Sequence, residues 1–289
     1  MQTAVITTGG LGTRLLTCTK GSPKTMLPIY NSSIDNFPDP ILKPLIEFIF
    51  ENLYDHGFRR FCFIVGKKTK SIIINHILPD SKYIELLKKR NLPEDKRFIK
   101  TLMRLYTKIL NSEIKWISQE NPLGFGDALL RAKNFVGKET FLLHAGDVYF
   151  PNYQFLDDFI RNHNQIPNTT GSVLLKRMKS VKGYGIAQIM KQGGTNIITQ
   201  VAEKPKRPIS NLAILPLYIF NPHIFHALKK TEKGNNNELQ ITDAIMTLIN
   251  WNKRIIAFNY GNKPWFDIGT PHNYFRSLKF SYLKSVNKS

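Results

Sequence analysis

Cysteine is nearly absent from this chain: Cys18 and Cys62 are the only two in 289 residues. That excludes a disulfide framework and agrees with a reducing compartment. Long apolar runs are missing too. The longest, such as Phe61-Cys62-Phe63-Ile64-Val65, are strand-sized, far below the roughly 18 residues a membrane span needs. Met1-Gln2-Thr3-Ala4-Val5 has neither the basic start nor the apolar stretch of a signal peptide. A soluble, cytoplasmic protein is therefore expected. No internal repeat, low-complexity tract or linker interrupts the chain, and one continuous domain over 1–289 is the simplest expectation.

Acidic residues are also scarce. There are 21 Asp and Glu against 41 Lys and Arg, a formal net charge of +20. Such an excess points to anionic partners: polynucleotides, acidic lipid or phosphorylated small molecules. It is uneven. Lys82 to Lys108 holds nine basic residues and three acids, and Arg276 to Ser289 holds four basic residues and no acid. A solvated surface accounts for most of it. No zinc-finger spacing, RNP-type aromatic motif or basic zipper is present, so a nucleic-acid role would rest on charge alone.

What is there alternates in period. The apolar, β-branched run Thr3–Thr8 reads as a buried strand, as do Phe61–Val65, Ile114–Ser118 and Phe141–Ala145. Helices are expected near Pro44–His56, over Ile72–Ile77, through 82–110 and over Asp127–Val136. This order predicts an α/β layered fold, Rossmann-like and doubly wound, with a mostly parallel mixed sheet. Beyond residue 170, short strands are expected at Ser172–Lys176, Ile186–Met190, Ile197–Glu203 and Leu212–Phe220. Helices near 222–230 and 238–251, a strand at 254–260 and a last helix from about 271 complete the second half.

In such sheets ligands sit at the carboxyl ends of strands. Two motifs fall there. Gly9-Gly10-Leu11-Gly12-Thr13-Arg14 follows the first strand, and Gly146-Asp147 follows a later one. Glycines let backbone N–H groups approach an anion. The loop is not a Walker A, because no Gly-Lys-Ser/Thr follows at the right spacing. It is not a dinucleotide fingerprint either, because Leu15 stands where the third glycine belongs. Arg14, Lys20 and Lys24 lie close behind it. Fixed cations beside a glycine loop suit a triphosphate.

The glycine loop, followed by Pro23-Lys24-Thr25-Met26-Leu27-Pro28-Ile29, resembles the signature of sugar-1-phosphate nucleotidyltransferases. The likeness continues in order through Lys43-Pro44-Leu45-Ile46, Leu123-Gly124-Phe125-Gly126-Asp127-Ala128, Gly146-Asp147-Val148 and Tyr184-Gly185. It ends with Glu203-Lys204-Pro205-Lys206, Ser210-Asn211-Leu212-Ala213-Ile214, Glu238 to Ile245, and Trp265-Phe266-Asp267-Ile268-Gly269-Thr270-Pro271. The uridylyl-transferring branch is most similar. Val148 and the basic 82–110 stretch favour it, whereas Trp265–Pro271 looks more like the thymidylyl branch.

The resemblance implies a reaction, substrates and roles. UTP and glucose 1-phosphate would give UDP-glucose and pyrophosphate, with Mg²⁺ held by Asp147 and Asp267. dTTP or another sugar phosphate remains an alternative. Arg14 would hold the leaving pyrophosphate, Lys24 the α-phosphate and Lys204 the sugar phosphate. Gly9, Gly10, Gly12 and Thr13 would cradle the nucleotide. Gln119 and Gly124 would meet the base, and Gly185, Glu203 and Asn211 the sugar. A nucleotide- and metal-binding half (1–150) would precede a sugar-phosphate-binding half (151–289). A dimer or tetramer is expected, with the C-terminal helix or the 82–110 region as interface. The presence of Arg14, Lys24, Asp147, Lys204 and Asp267 together argues against a non-catalytic regulatory homologue. His144, near Asp147, reads as a structural histidine inside a strand. Three departures from the family pattern stand out: Thr17 in place of a proline, an insertion at Asn31–Ile41, and Pro216 where glycine is common.

Overall fold

The computed structural model describes residues 1–10, 12–32, 39–234 and 237–286. Its centre is one nine-stranded sheet. Strands β1 (Thr3–Thr7), β4 (Arg60–Gly66), β5 (Glu113–Gln119) and β6 (Phe141–Ala145) form a parallel block in the order β5-β4-β1-β6. The sheet continues through β11 (Leu212–Phe220), β8 (Thr169–Arg177), β12 (Arg254–Asn259), β10 (Thr195–Ala202) and β9 (Ile186–Gln192). Only β10 and β11 run against the other seven.

The apolar runs are continuous because both sheet faces are covered. Side chains alternate across a strand, so Ala4 and Ile6, with Phe61, Phe63 and Val65, pack into one core beside α1 (Leu45–Asp55) and α4 (Pro93–Leu110). Val5, with Cys62 and Ile64, packs into a second core beside α5 (Phe125–Arg131), α8 (His223–Lys230) and α9 (Ile241–Asn250). Buried Ser277, Ser281 and Ser285 recur every fourth residue on the last helix, α10 (Pro271–Val286). Small side chains there let it lie against β2 (Pro28–Asn31), where Ser281 Oγ accepts from the Tyr30 amide at 3.1 Å.

Several elements differ from the sequence expectation. The 82–110 stretch is two helices, α3 (Ser81–Arg90) and α4, because Asn91 adopts a left-handed conformation and Pro93 opens a new first turn. The helix expected over Asp127–Val136 breaks at Ala132 into α5 and α6 (Lys133–Val136). Pro44 caps α1 from outside, as the last residue of β3 (Ile41–Pro44). The Asn31–Ile41 insertion joins β2 to β3, which pair antiparallel as a hairpin, and its residues 33–38 lie outside the described residues. The two-residue strands β7 (Val148–Tyr149) and β13 (Phe266–Asp267) are too short to leave a periodic signal. Helix α7 (Leu156–Gln165) does leave one, with Leu156, Phe159 and His163 buried at helical spacing. Among the described residues, no helix is long and apolar enough to cross a membrane.

Candidate active site

Strands β1 and β6 are parallel neighbours with Thr7 opposite Ala145. The chains leaving them therefore emerge side by side, and the Gly146 amide donates to Thr7 O at 2.8 Å. Residues from both halves of the chain line a cleft of about 560 Å³ at this edge, within the range of small-molecule sites.

The glycine loop turns at Gly12, whose φ of +68° is left-handed. It caps a 3-10 turn over Thr13–Thr19 and is clamped there, since Gly12 O accepts from the Leu15 amide at 2.9 Å and from Thr19 Oγ1 at 2.8 Å. A second 3-10 turn, Lys24–Met26, follows Pro23. It carries the Lys24 ammonium to the Asp147 carboxylate, with which it forms an ion pair.

Asp147 and Asp267 meet through backbone pairing. Strand β13 pairs antiparallel with β7, placing Asp267 opposite Val148, and the Ile268 amide donates to Asp147 O at 3.0 Å. Asp267 Oδ1 accepts from the Gly269 amide at 2.7 Å. Burial pushes the Asp147 carboxyl up, but the charge and hydrogen bond of Lys24 outweigh it and hold it below the usual carboxylate range. Burial, and then the Asp147 charge, push the Asp267 carboxyl above that range.

These two carboxylates fit a hard divalent cation. They are oxygen donors on adjacent segments, close enough to repel, and Mg²⁺ characteristically uses one or two carboxylates alongside phosphate oxygens and water. The charge balance agrees. The lining holds Arg14, Lys24 and Lys204 as fixed cations against Asp147, Glu203, Glu238 and Asp267. A site for polyanions built that way needs further positive charge.

On the other wall, Gly185 precedes β9 and Glu203 follows β10, with Ile186 paired to Ala202. Glu203 Oε2 accepts from Thr242 Oγ1 at 2.6 Å, and Glu203 Oε1 lies 3.0 Å from Lys204 Nζ. Lys204 has a φ of +40°, a strained conformation for a side-chain-bearing residue. A Cβ at Gly185 would stand 3.2 Å from Glu203 Oε2 and 3.4 Å from Thr242 Oγ1, so a larger residue would crowd this corner. At the end of β5, Gln119 Nε2 donates to Gly124 O at 3.1 Å and to Asp127 Oδ2 at 2.8 Å. Gly124, at φ +105°, opens α5 against the Leu239 backbone, and an added Cβ would lie 2.5 Å from Leu239 O.

Gly9, Gly10, Gly12, Thr13, Arg14, Lys24, Gln119, Gly124, Asp147, Gly185, Glu203, Lys204 and Asp267 all line this one cleft. Asn211 does not. Its Oδ1 accepts from Arg177 at 2.6 Å, and its backbone carbonyl accepts from the Met178 amide at 2.9 Å, which directs it toward the neighbouring strand. His144 is fully buried between Tyr153 Oη and Ala145 O, 2.7 Å from each.

Sequence reasoning gave no role to Tyr184, Trp265, Gln240 or Thr242, which also line the cleft. All four fall in the motifs quoted above, so the motifs marked their neighbourhood but not their function. The Tyr184 and Trp265 rings meet edge to face with centroids 5.6 Å apart.

A glycine loop with fixed cations and a paired-carboxylate corner at the carboxyl edge of a Rossmann-like sheet defines a phosphate-handling transferase site. The chain belongs to the nucleotidyl transferase family, whose family model matches residues 3–282. It is 34% identical to the UTP–glucose-1-phosphate uridylyltransferase of Mycoplasma pneumoniae, covering 99% of this chain and 94% of that protein. It is 33% identical to UTP–glucose-1-phosphate uridylyltransferase 2 of Streptococcus pyogenes, covering 99% of this chain and 89% of that one. Among solved structures it is similar to a UDP-glucose pyrophosphorylase complexed with UDP-glucose, at a TM-score of 0.78 and 26% identity, covering 98% of this chain and 99% of that one.

Proposed function

We propose that this enzyme transfers the uridylyl group of UTP to glucose 1-phosphate, giving UDP-glucose and pyrophosphate. The observation that carries the reading is the convergence of the glycine loop, Lys24, Glu203-Lys204 and the two aspartates in one cleft. The names of the relatives supply the substrates.

The reaction is an in-line displacement: a phosphate oxygen of the sugar phosphate attacks the α-phosphorus as pyrophosphate leaves. No covalent nucleophile is required, and the protein's work is positioning and neutralising charge. In this reading Gly9, Gly10, Gly12 and Thr13 cradle the phosphates while Arg14 holds the departing pyrophosphate. Lys24 leaves its carboxylate partner to meet the α-phosphate as negative charge develops there. Lys204 holds the sugar phosphate, and Glu203 accepts from sugar hydroxyls beside the open space at Gly185. Gln119 and Gly124 meet the base. Asp147 and Asp267 would hold Mg²⁺, whose chemistry when bound is neutralisation of phosphate charge. The nucleotide would thus rest chiefly on residues 1–150 and the sugar phosphate on 151–289, with the metal held between Asp147 of the first half and Asp267 of the second. The proposal includes a homo-oligomer, dimer or tetramer, supported by exposed Phe275, Tyr282 and Leu283 on α10.

The test is pyrophosphate release with Mg²⁺ over a grid of UTP, dTTP, CTP, ATP and GTP against several sugar 1-phosphates. Strong release with UTP and glucose 1-phosphate alone is expected. Preference for dTTP or another sugar would change the substrate, and no release from folded protein would refute the reading.

A further inference from the structure

We infer that Asp127 is a positioning residue that fixes which way the Gln119 amide faces, and thereby makes the cleft select a pyrimidine-2,4-dione over a 4-aminopyrimidine. The inference rests on the reading that Gln119 meets the base.

A glutamine amide offers an acceptor on one side and two donors on the other. Its terminal torsion is soft, so an unheld amide presents either group. Gln119 is held. Nε2 donates to Asp127 Oδ2 at 2.8 Å and to Gly124 O at 3.1 Å. Both partners are oxygens that only accept. Turned over, the amide would set Oε1 against both and lose both bonds, so chemistry alone assigns the orientation. Asp127 is itself anchored: Arg131, one turn further along α5, places Nε 3.0 Å from the same Oδ2. Side chain and anchor are both partly or fully buried, which keeps water from competing.

The amide oxygen is thereby left to the cleft. Oε1 lies on the wall beside Gly9, only 2.5 Å from where a Cβ on that residue would stand. Both bonds that the side chain makes among the described residues use Nε2. Uracil and thymine carry a donor at N3–H, which this oxygen satisfies. Cytosine carries an acceptor at N3, which it repels. The discrimination therefore lives in the Asp127 carboxylate as much as in Gln119, because without it the longer bond to Gly124 O is what remains to hold the amide, and an amide held more weakly turns more readily to serve either base.

The experiment compares kcat/KM for UTP and CTP, with glucose 1-phosphate saturating, in wild type, Asp127→Ala, Asp127→Asn and Gln119→Ala. Calorimetric Kd values for the two nucleotides give the same ratio where turnover is too slow. Asp127→Ala should lower the UTP-over-CTP ratio about tenfold, the scale of one lost or mismatched hydrogen bond to a buried partner. The KM for glucose 1-phosphate should hold. Asp127→Asn, whose amide oxygen can occupy the Oδ2 position and accept both bonds, should restore the ratio. Asp127→Leu, close in size and without an acceptor, takes the place of Asp127→Ala if that variant does not fold. A ratio that collapses in Gln119→Ala but stays at the wild-type value in Asp127→Ala would overturn the inference alone. A ratio unchanged in both would overturn the assignment of Gln119 to the base, and the inference with it.

Discussion

Replacing Gly12 by alanine tests the glycine loop as a mechanical part of the site. Gly12 sits at φ +68°, and a left-handed conformation costs a residue with a Cβ about 1–2 kcal/mol. The new methyl would also stand 2.8 Å from Lys24 Cγ and 2.9 Å from Thr19 Cβ and Oγ1. Overpacking of that kind typically costs about 1–3 kcal/mol. The sum, about 2–5 kcal/mol, is an upper range, because a loop can relax where a core cannot. Relaxation is not harmless here. Thr19 is buried and bonded back to Gly12 O, so Lys24 is the neighbour free to give, and giving draws it from Asp147. Thermal unfolding should fall by several degrees, and pyrophosphate release should fall further than stability explains. Gly10→Ala is the control. Its Cβ would meet Lys24 Cε at 3.6 Å, an ordinary contact, without a positive φ, and it should be close to neutral for stability. If the two variants matched in both melting temperature and turnover, the clamp at Gly12 would not matter and the reasoning would be wrong.

Four further expectations follow from other parts of the molecule. Asp147→Asn should lower Mg²⁺-dependent pyrophosphate release by about 10²–10³ or more, the scale of losing one transition-state group, with the fold retained by circular dichroism; near wild-type turnover would remove the metal assignment. Lys204→Ala should raise the KM for the sugar phosphate while sparing that for UTP, and unchanged sugar-phosphate kinetics would refute its role. Lys43→Met should cost about 3 kcal/mol in urea unfolding, because it removes the cation shared by two buried carboxylates: Lys43 Nζ lies 3.1 Å from Glu47 and 2.5 Å from Glu51, all three buried, while Glu47 keeps His76 at 2.9 Å and Glu51 keeps Lys108 at 3.9 Å. Burial holds His144 down at about 4, so the unfolded chain takes up a proton near 6.5 that the folded chain refuses; stability is full above pH 6.5 and falls by about 3 kcal/mol as pH drops to about 4, a slope that His144→Asn should flatten in pH-dependent melts.

The neighbours of Glu203 show where sequence reasoning stops. Glu203-Lys204-Pro205 reads as a sugar-side motif from its place in the order, but its orienting partner Thr242 stands 39 residues on. No local pattern joins the two, because the bond exists only once β10 and α9 are packed. Asn211 shows the reverse. It lies inside a motif, yet its side chain turns to Arg177, since the register of β11 on β8 directs it there.

By itself the sequence determined the layered α/β class, because strands buried on both faces must be apolar throughout and helices must alternate with them. It also determined the chemistry available, because a glycine loop with nearby cations is a local property of a short segment. Only the tertiary structure decided which charged groups meet. Lys24 reaches a carboxylate 123 residues away, and Asp267 stands beside Asp147 through a two-residue strand pairing. The Gln119 amide is turned by a carboxylate on the following helix. Such meetings depend on backbone register and on which helix covers which strand. Both are set by burying the whole core at once, so no short stretch of sequence encodes them.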